Sequence, residues 1–326
     1  MRLLPVSYAR VNSLAVPENV AQNLPAMNPL TRREFLATST LAAGALALGV
    51  EPARAASEQR FPIIGFTKPI QKLSYEETAD VAAQAGWEGI ELPLRAKGQI
   101  EPERVEEELP KMHAALEKRG LSIGLITTDI VNPATPHAEK VLRTAKALGI
   151  TRYRLGFLRY KPDQPPLAQL NELKPGLRDL AAMNKQLGMT GGIQNHSGAE
   201  MVGCAVWDIF ELVRDLDPKA LGICFDIGHA TLEGGLSWPI EARLMEPFFT
   251  CVYVKDFAWV KDEKRGFVPK WGPLGEGTVK REFLTWLKQS GYTGPISSHV
   301  EYLEGAGPEQ IAQMKKDCDT LKSWLA

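Results

Sequence analysis

The sequence predicts an α/β fold: a (β/α)8 barrel of parallel strands, each followed by a helix. Two observations carry that expectation. Past Ala56, short apolar runs alternate eight times with longer amphipathic ones, the signature of parallel strands joined by crossover helices. About 270 residues remain after that point, close to the roughly 250 that one such barrel takes. A doubly wound sheet is the alternative, but no G-x-G-x-x-G follows the first strand, which also argues against a nucleotide cofactor.

The strand candidates are 62–67, 89–93, 121–127, 152–156, 189–195, 221–226, 251–256 and 295–301. Helices are expected over 74–86, 102–120, 137–149 and 170–188. The first opens on a capping box, Ser74 with Glu77, and all four end at a glycine, the usual left-handed stop. Pro110 and Pro175 are expected to start or kink a helix, because proline lacks the N–H that the helix interior requires. The stretch 259–280 is the longest segment expected to be irregular.

The first 56 residues are expected to be a leader and 57–326 the barrel domain. Arg32 and Arg33 precede Phe35, Leu36 and an apolar run, and Ala53-Arg54-Ala55 suits a signal peptidase. That order reads as a secretory signal of the twin-arginine type, giving a periplasmic or extracytoplasmic protein. The apolar run, Leu36 to Val50, is short of the ~20 residues a membrane span needs, so no integral span is expected after its removal. Either Met1 or Met27 could be the start.

Without residues 1–55 the chain keeps 33 of its 38 basic and 36 of its 39 acidic residues, a formal charge of −3. No basic stripe is present to neutralise phosphates, so nucleic acid is not an expected partner. The four cysteines, Cys204, Cys224, Cys251 and Cys318, form no C-x-x-C and do not read as a disulfide framework. Cys224 and Cys251 are expected to fill the core.

Barrels of this kind work at the C-terminal ends of their strands. Those ends carry Lys68, Glu91, Arg154, Gln194, Asn195, His196, Asp226, His229, Tyr253, Lys255, Asp256, His299 and Glu301. Three of the five histidines fall in this set.

At "AGWEGIEL" (85–92), "FDIGHA" (225–230), "VYVKDF" (252–257), "LGEGTVK" (274–280) and "GYTGPIS" (291–297) the chain resembles the xylose isomerase-like TIM barrels, the sugar phosphate isomerase/epimerase superfamily. The resemblance runs through almost all of the mature chain. It implies one divalent metal held by a strand 5 carboxylate, a strand 6 Asp, a strand 7 His and a strand 8 Glu, with two glutamates shuttling a proton between adjacent carbons of a keto sugar. Carried over, the first position falls on Gln194 and the second on Asp226, with His229 beside the substrate. Tyr253 stands where the family's H-x-K-D run has its histidine, while Lys255 and Asp256 match. The strand 8 glutamate falls on His299, or on Glu301 with a two-residue shift, both on one face of a strand.

These departures matter because an amide cannot serve as a general base and a hard cation needs carboxylates. Two arrangements are coherent. Gln194, His196, Asp226 and His299, with Glu301, would suit a divalent metal (Mn, Mg or Zn). Otherwise the metal is gone, and His299, Lys255 and Glu91 act as acid, base and electrostatic partner.

Bland readings stand beside these. Asp226 could cap the next helix, Lys255 could be a solvated rim residue, and Glu91 with Arg154 could be a structural ion pair. Gly275-Glu276-Gly277 reads as a loop turn. Trp87, Trp238, Trp259 and Trp271 read as packing residues, with one sugar-stacking ring among them the alternative.

The expected function is an exported isomerase or epimerase that moves a proton next to the carbonyl of a sugar or keto-polyol. His299 or Glu301 would be its base, and Lys255 and His229 would polarise substrate oxygens. Lys68, Glu91, Arg154, Asn195 and Asp256 would bind the sugar. A lyase or hydratase on oxidised sugars and a non-catalytic periplasmic sugar-binding barrel are the alternatives.

Overall fold

A computed structural model describes residues 61–326, within a compact unit running from Gln59 to Ala326. The segment expected to be a leader, with Arg32 and Arg33, lies outside the described residues. Eight parallel strands close into a barrel: β1 (Ile63–Phe66), β2 (Gly89–Pro93), β3 (Ser122–Thr127), β4 (Arg152–Arg154), β5 (Thr190–Gln194), β6 (Leu221–Asp226), β7 (Phe249–Val254) and β10 (Ile296–Ser298). They pair in chain order, and β10 closes the ring between β7 and β1.

Helices cover the outside: α1 (Tyr75–Gln84), α2 (Val105–Glu117), α3 (Ala138–Ala147), α4 (Pro166–Leu187), α5 (Val206–Val213), α6 (Ile227–Gly234), α7 (Trp238–Met245), α8 (Glu282–Gln289) and α9 (Pro308–Leu325). The capping box forms as expected: Glu77 N–H donates to the Ser74 hydroxyl and Ser74 N–H to the Glu77 carboxylate. Pro110 and Pro175 do not interrupt their helices; both sit inside continuous ones. Each helix forgoes one backbone bond at the ring but buries its apolar face, with Leu109, Met112 and Leu116 inward on α2 and Leu177 and Leu180 on α4, and that burial outweighs a cost of about 3 kcal/mol.

With helices outside and packed side chains inside, both faces of the strands are buried, which is why they read as near-continuous apolar runs. Alternation then decides what enters the barrel. Ile64, Leu125, Cys224, Cys251 and Tyr253 form an interior cluster separate from the main core. Cys224 and Cys251 are free, buried thiols, as expected of core filler. One step toward the C-terminal ends of β2 to β7 and β10, the inward residues become polar: Glu91, Thr127, Arg154, Gln194, Asp226, Lys255 and His299, all buried.

Of the segment expected to be irregular, 259–272 instead belongs to an antiparallel hairpin, β8 (Asp256–Asp262) and β9 (Gly266–Gly272), whereas 273–280 is irregular as expected. Its turn is set by Asp262, whose carboxylate accepts from Lys264 N–H and Arg265 N–H, while Gly266 takes a positive φ of 79°. Short polar runs with a central proline hid the alternation. Trp271 on this hairpin packs 4.8 Å from Lys255 Nζ and 5.0 Å from the His229 ring, so the hairpin roofs the barrel mouth.

Candidate active site

The barrel mouth holds a cavity of about 290 Å3, lined among others by Lys68, His196, Lys255, Trp271, His299 and Glu301. A smaller recess of about 60 Å3 shares Lys68, His196, His299 and Glu301 with it and adds Glu91, Arg95, Arg154 and Phe157.

Glu91 is the buried hub. Tyr253 and Ser297 hydroxyls donate to it at 3.0 and 2.7 Å, Thr127 donates as well, and His299 Nε2 lies 3.0 Å away. Burial opposes its charge, but the His299 charge and these donors prevail and hold the carboxyl below its usual range. For His299, burial favours the neutral ring, whereas Glu91 on one side and Glu301 on the other (Nδ1 to Oε1, 3.4 Å) raise its proton affinity. A protonated imidazolium fixed between two carboxylates has no lone pair to take a proton. The expectation of His299 as base therefore gives way to one in which it couples Glu91 to Glu301. The ion pair expected between Glu91 and Arg154 is not formed; His299 takes that place.

Asp226 is the helix cap that the sequence suggested, and more. It caps α6 by accepting from His229 N–H at 3.1 Å, and its other oxygen faces the cavity residues. That oxygen accepts from the Gln194 amide at 2.9 Å and from Lys255 Nζ at 3.1 Å. Despite burial, the Lys255 charge and nearby histidines hold the Asp226 carboxyl down at about 2. Lys255 is no rim lysine: its side chain is 6% exposed. It also lies 3.6 Å from Glu301, which in turn receives Lys68 at 2.5 Å. Bonding from His299 and the charges of Lys255, His299 and Lys68 keep Glu301 ionised far below the ordinary carboxylate range, against its burial.

Ser197 settles the protonation of two rings. His196 Nδ1 lies 2.8 Å from the Ser197 carbonyl oxygen, which can only accept, so Nδ1 carries the proton and Nε2 keeps a lone pair. Ser197 N–H donates to His229 Nδ1 at 3.2 Å, so that ring carries its proton on Nε2, 3.7 Å from Asp226. The rings stack with centroids 3.9 Å apart. Burial lowers both pKa values, His229 well below the ordinary value, and the Lys255 charge adds to the effect on His196. Both are neutral at neutral pH. His229 Nε2, 3.7 Å from Asp226, makes no hydrogen bond among the described residues, so its N–H remains available to a substrate oxygen, while its Nδ1 bond to Ser197 helps to position His196.

Two expected sugar-binding residues serve the backbone. Asn195 exchanges bonds with the Asp226 main chain at 2.7 and 2.9 Å. The Asp256 carboxylate accepts from Phe257, Gly275, Gly277 and Val279 N–H groups. That explains "LGEGTVK": a Cβ on Gly277 would sit 2.4 Å from Asp256 Oδ1, so the loop wraps an anchor rather than a phosphate.

A family model described as xylose isomerase-like TIM barrel matches residues 79–324. The chain belongs to that family. Solved structures of the same fold include the probable 3-DHS dehydratase AsbF of Bacillus anthracis (17% identity, TM-score 0.61, 81% of this chain and 99% of that one). A D-allulose 3-epimerase of Methylomonas sp. in complex with D-allulose (16%, 0.58, 81% and 97%) is another. A third is a xylose isomerase-like TIM barrel protein of Mycobacterium smegmatis in complex with magnesium (16%, 0.61, 83% and 99%). At such identities the likeness is one of fold. An uncharacterised protein of Methanocaldococcus jannaschii is 29% identical over 123 residues, which is 37% of this chain and 40% of that protein.

The resemblance implies a divalent metal, and one structure of this fold is a magnesium complex. The expected ligands Gln194, His196, Asp226 and His299 do not fit a divalent ion. Gln194 and Lys255 direct N–H groups at the Asp226 oxygen a metal would need, and His299 Nε2 is turned to Glu91. Among the described residues, no group of three or more His, Cys, Asp or Glu could hold a metal. A lysine ammonium stands between Asp226 and Glu301 instead.

The residue missed from the sequence is Arg95, two positions past the end of β2. It lies in a rim loop rather than at a strand end, where strand alternation carries no signal.

Proposed function

We propose that the protein is an exported isomerase- or epimerase-type enzyme that moves a proton next to the carbonyl of a sugar or keto-polyol. The observation that carries this reading is the Ser197-fixed tautomer of His196 beside the Lys255 ammonium. A neutral imidazole with a free Nε2 lone pair is suited to take a proton from carbon. Removing that proton leaves an enediolate, whose oxygen needs a cation in a water-poor site. Lys255 supplies one, already oriented by Asp226, Glu301 and Trp271. In an isomerisation His196 then returns the proton to the neighbouring carbon; in an epimerisation the original carbon is protonated on its opposite face by a second acid, a role open to the Lys255 ammonium, while His196 keeps the proton it removed. The carbohydrate named in the D-allulose 3-epimerase complex belongs to the same class of substrate.

Deuterium incorporation next to the carbonyl, followed by NMR for a panel of keto sugars in D2O, tests the reading. Wild-type protein should exchange at least one of them, and His196→Gln should slow that exchange by on the order of 10²–10⁴ without unfolding the protein. Since burial and Lys255 hold His196 below its ordinary 6.5, the rate should rise with pH only on the acid side of 6.5 and be level at neutrality. A full panel without exchange would overturn the proposal.

A further inference from the structure

Arg154 and Arg95 are not used by the chemistry above, and their surroundings are unusual. Arg154 is 3% exposed, and its buried Nη1 has no hydrogen-bond partner. Its guanidinium lies 4.4 Å above the Phe157 ring, which covers one face and leaves the in-plane N–H edge for a ligand. Arg95 lines the same recess. Burial and the like charge of Arg154 both work against its own charge, and Asp129, Glu301 and Glu91 favour it only through space.

The acids around the mouth are already engaged with other partners. Glu91 is matched by His299, Asp226 by Lys255 and Glu301 by Lys68. Asp256 is held by four backbone amides, and Asp129 accepts from Ala96 N–H. Among the described residues neither arginine forms an ion pair, so two positive charges are left facing one recess. A buried guanidinium without a partner is costly, and a bidentate anion repays that cost. A recess of about 60 Å3 has room for a group of carboxylate size but not for a sugar ring, which would occupy the larger cavity beside His196.

We propose that Arg154 and Arg95 form a carboxylate subsite, so that the substrate is an oxidised, acidic sugar. The proposal rests on the reading of the larger cavity as a sugar site, and it names the substrate class. An acidic substrate also suits elimination from the same enediolate, in which the electron pair of the broken C–H bond expels a β-hydroxyl while the protonated His196 gives it the abstracted proton, so that it leaves as water.

Calorimetric binding to the purified full chain separates these ideas. The probes are two matched pairs, 2-keto-D-gluconate with D-fructose and D-glucuronate with D-glucose. At least one acid should bind on the order of 10- to 100-fold more tightly than its neutral partner, and salt should shrink the margin. Arg154→Gln and, separately, the half-buried Arg95→Gln should each reduce it several-fold, with the thermal midpoint of each variant checked. Equal or tighter binding of the neutral sugars, no binding of either acid, or an undiminished margin in a folded Arg95→Gln variant would overturn the subsite. Deuterium exchange is read separately. Tight acid binding without exchange keeps the subsite and sinks the proton-transfer reading, whereas exchange of D-fructose without any acid preference does the reverse.

Discussion

Replacing His299 with glutamine should destabilise the barrel strongly, and the size of the effect follows from what it leaves behind. Glu91 is fully buried and ionised, and among the described residues His299 Nε2 at 3.0 Å supplies its only countercharge in contact. Three hydroxyl donors remain in His299→Gln, but the charge is no longer balanced. Breaking one side of a buried pair costs about 3–5 kcal/mol. For a barrel of this size that is about 6–15 °C in thermal midpoint. Glu91→Gln should cost less, because His299 keeps Glu301 at 3.4 Å, and the double variant should be more stable than the sum of the two singles by at least 1 kcal/mol. The pH dependence has a definite sign. The folded pKa of His299 is raised above 6.5, so its contribution is complete below 6.5 and is lost as pH rises through the raised value. That of Glu91 is lowered below 4.5, so its contribution is complete above 4.5 and is lost as pH falls through the lowered value. The pair therefore contributes most between about 4.5 and 6.5, and the gap between wild type and His299→Gln should be widest there. Thermal melts across that range measure it. A His299→Gln variant within about 0.5 kcal/mol of wild type, or strictly additive singles, would refute the hub. In the folded fraction of this variant, deuterium exchange should fall less than in His196→Gln; the opposite order would restore His299 as the base.

Two further expectations follow. Lys255→Met removes the cation between Asp226 and Glu301 and should lower exchange by about 100-fold or more, while exhaustive chelation of the wild type should change neither its rate nor its melting temperature; a rate restored only by added divalent metal would show that the donor set has been misjudged. Lysines in place of Arg32 and Arg33 should hold the precursor in the cytoplasm, and undiminished mature protein in the periplasm would argue against a twin-arginine signal.

The barrel was legible in the chain because its causes are local and repetitive. Apolar runs such as 221–226, glycine stops such as Gly86 and the Ser74–Glu77 box each act within a few residues. Strand alternation then places Glu91, Gln194, Asp226, Lys255 and His299 at one rim from position alone. What each rim residue does was decided by partners far away in sequence. His299 reads as a base until Glu91, 208 positions earlier, is found against its Nε2. Asp256 reads as a ligand for sugar until a loop about twenty residues on turns four amides toward it or its neighbour. The tautomer of His196 depends on one carbonyl, and the loneliness of Arg154 on carboxylates that went elsewhere. Sequence by itself determined which side chains reach the barrel mouth, because the backbone period fixes direction. Only the tertiary structure decided which of them remain free to act, because protonation and pairing depend on distances of about 3 Å that no spacing along the chain encodes.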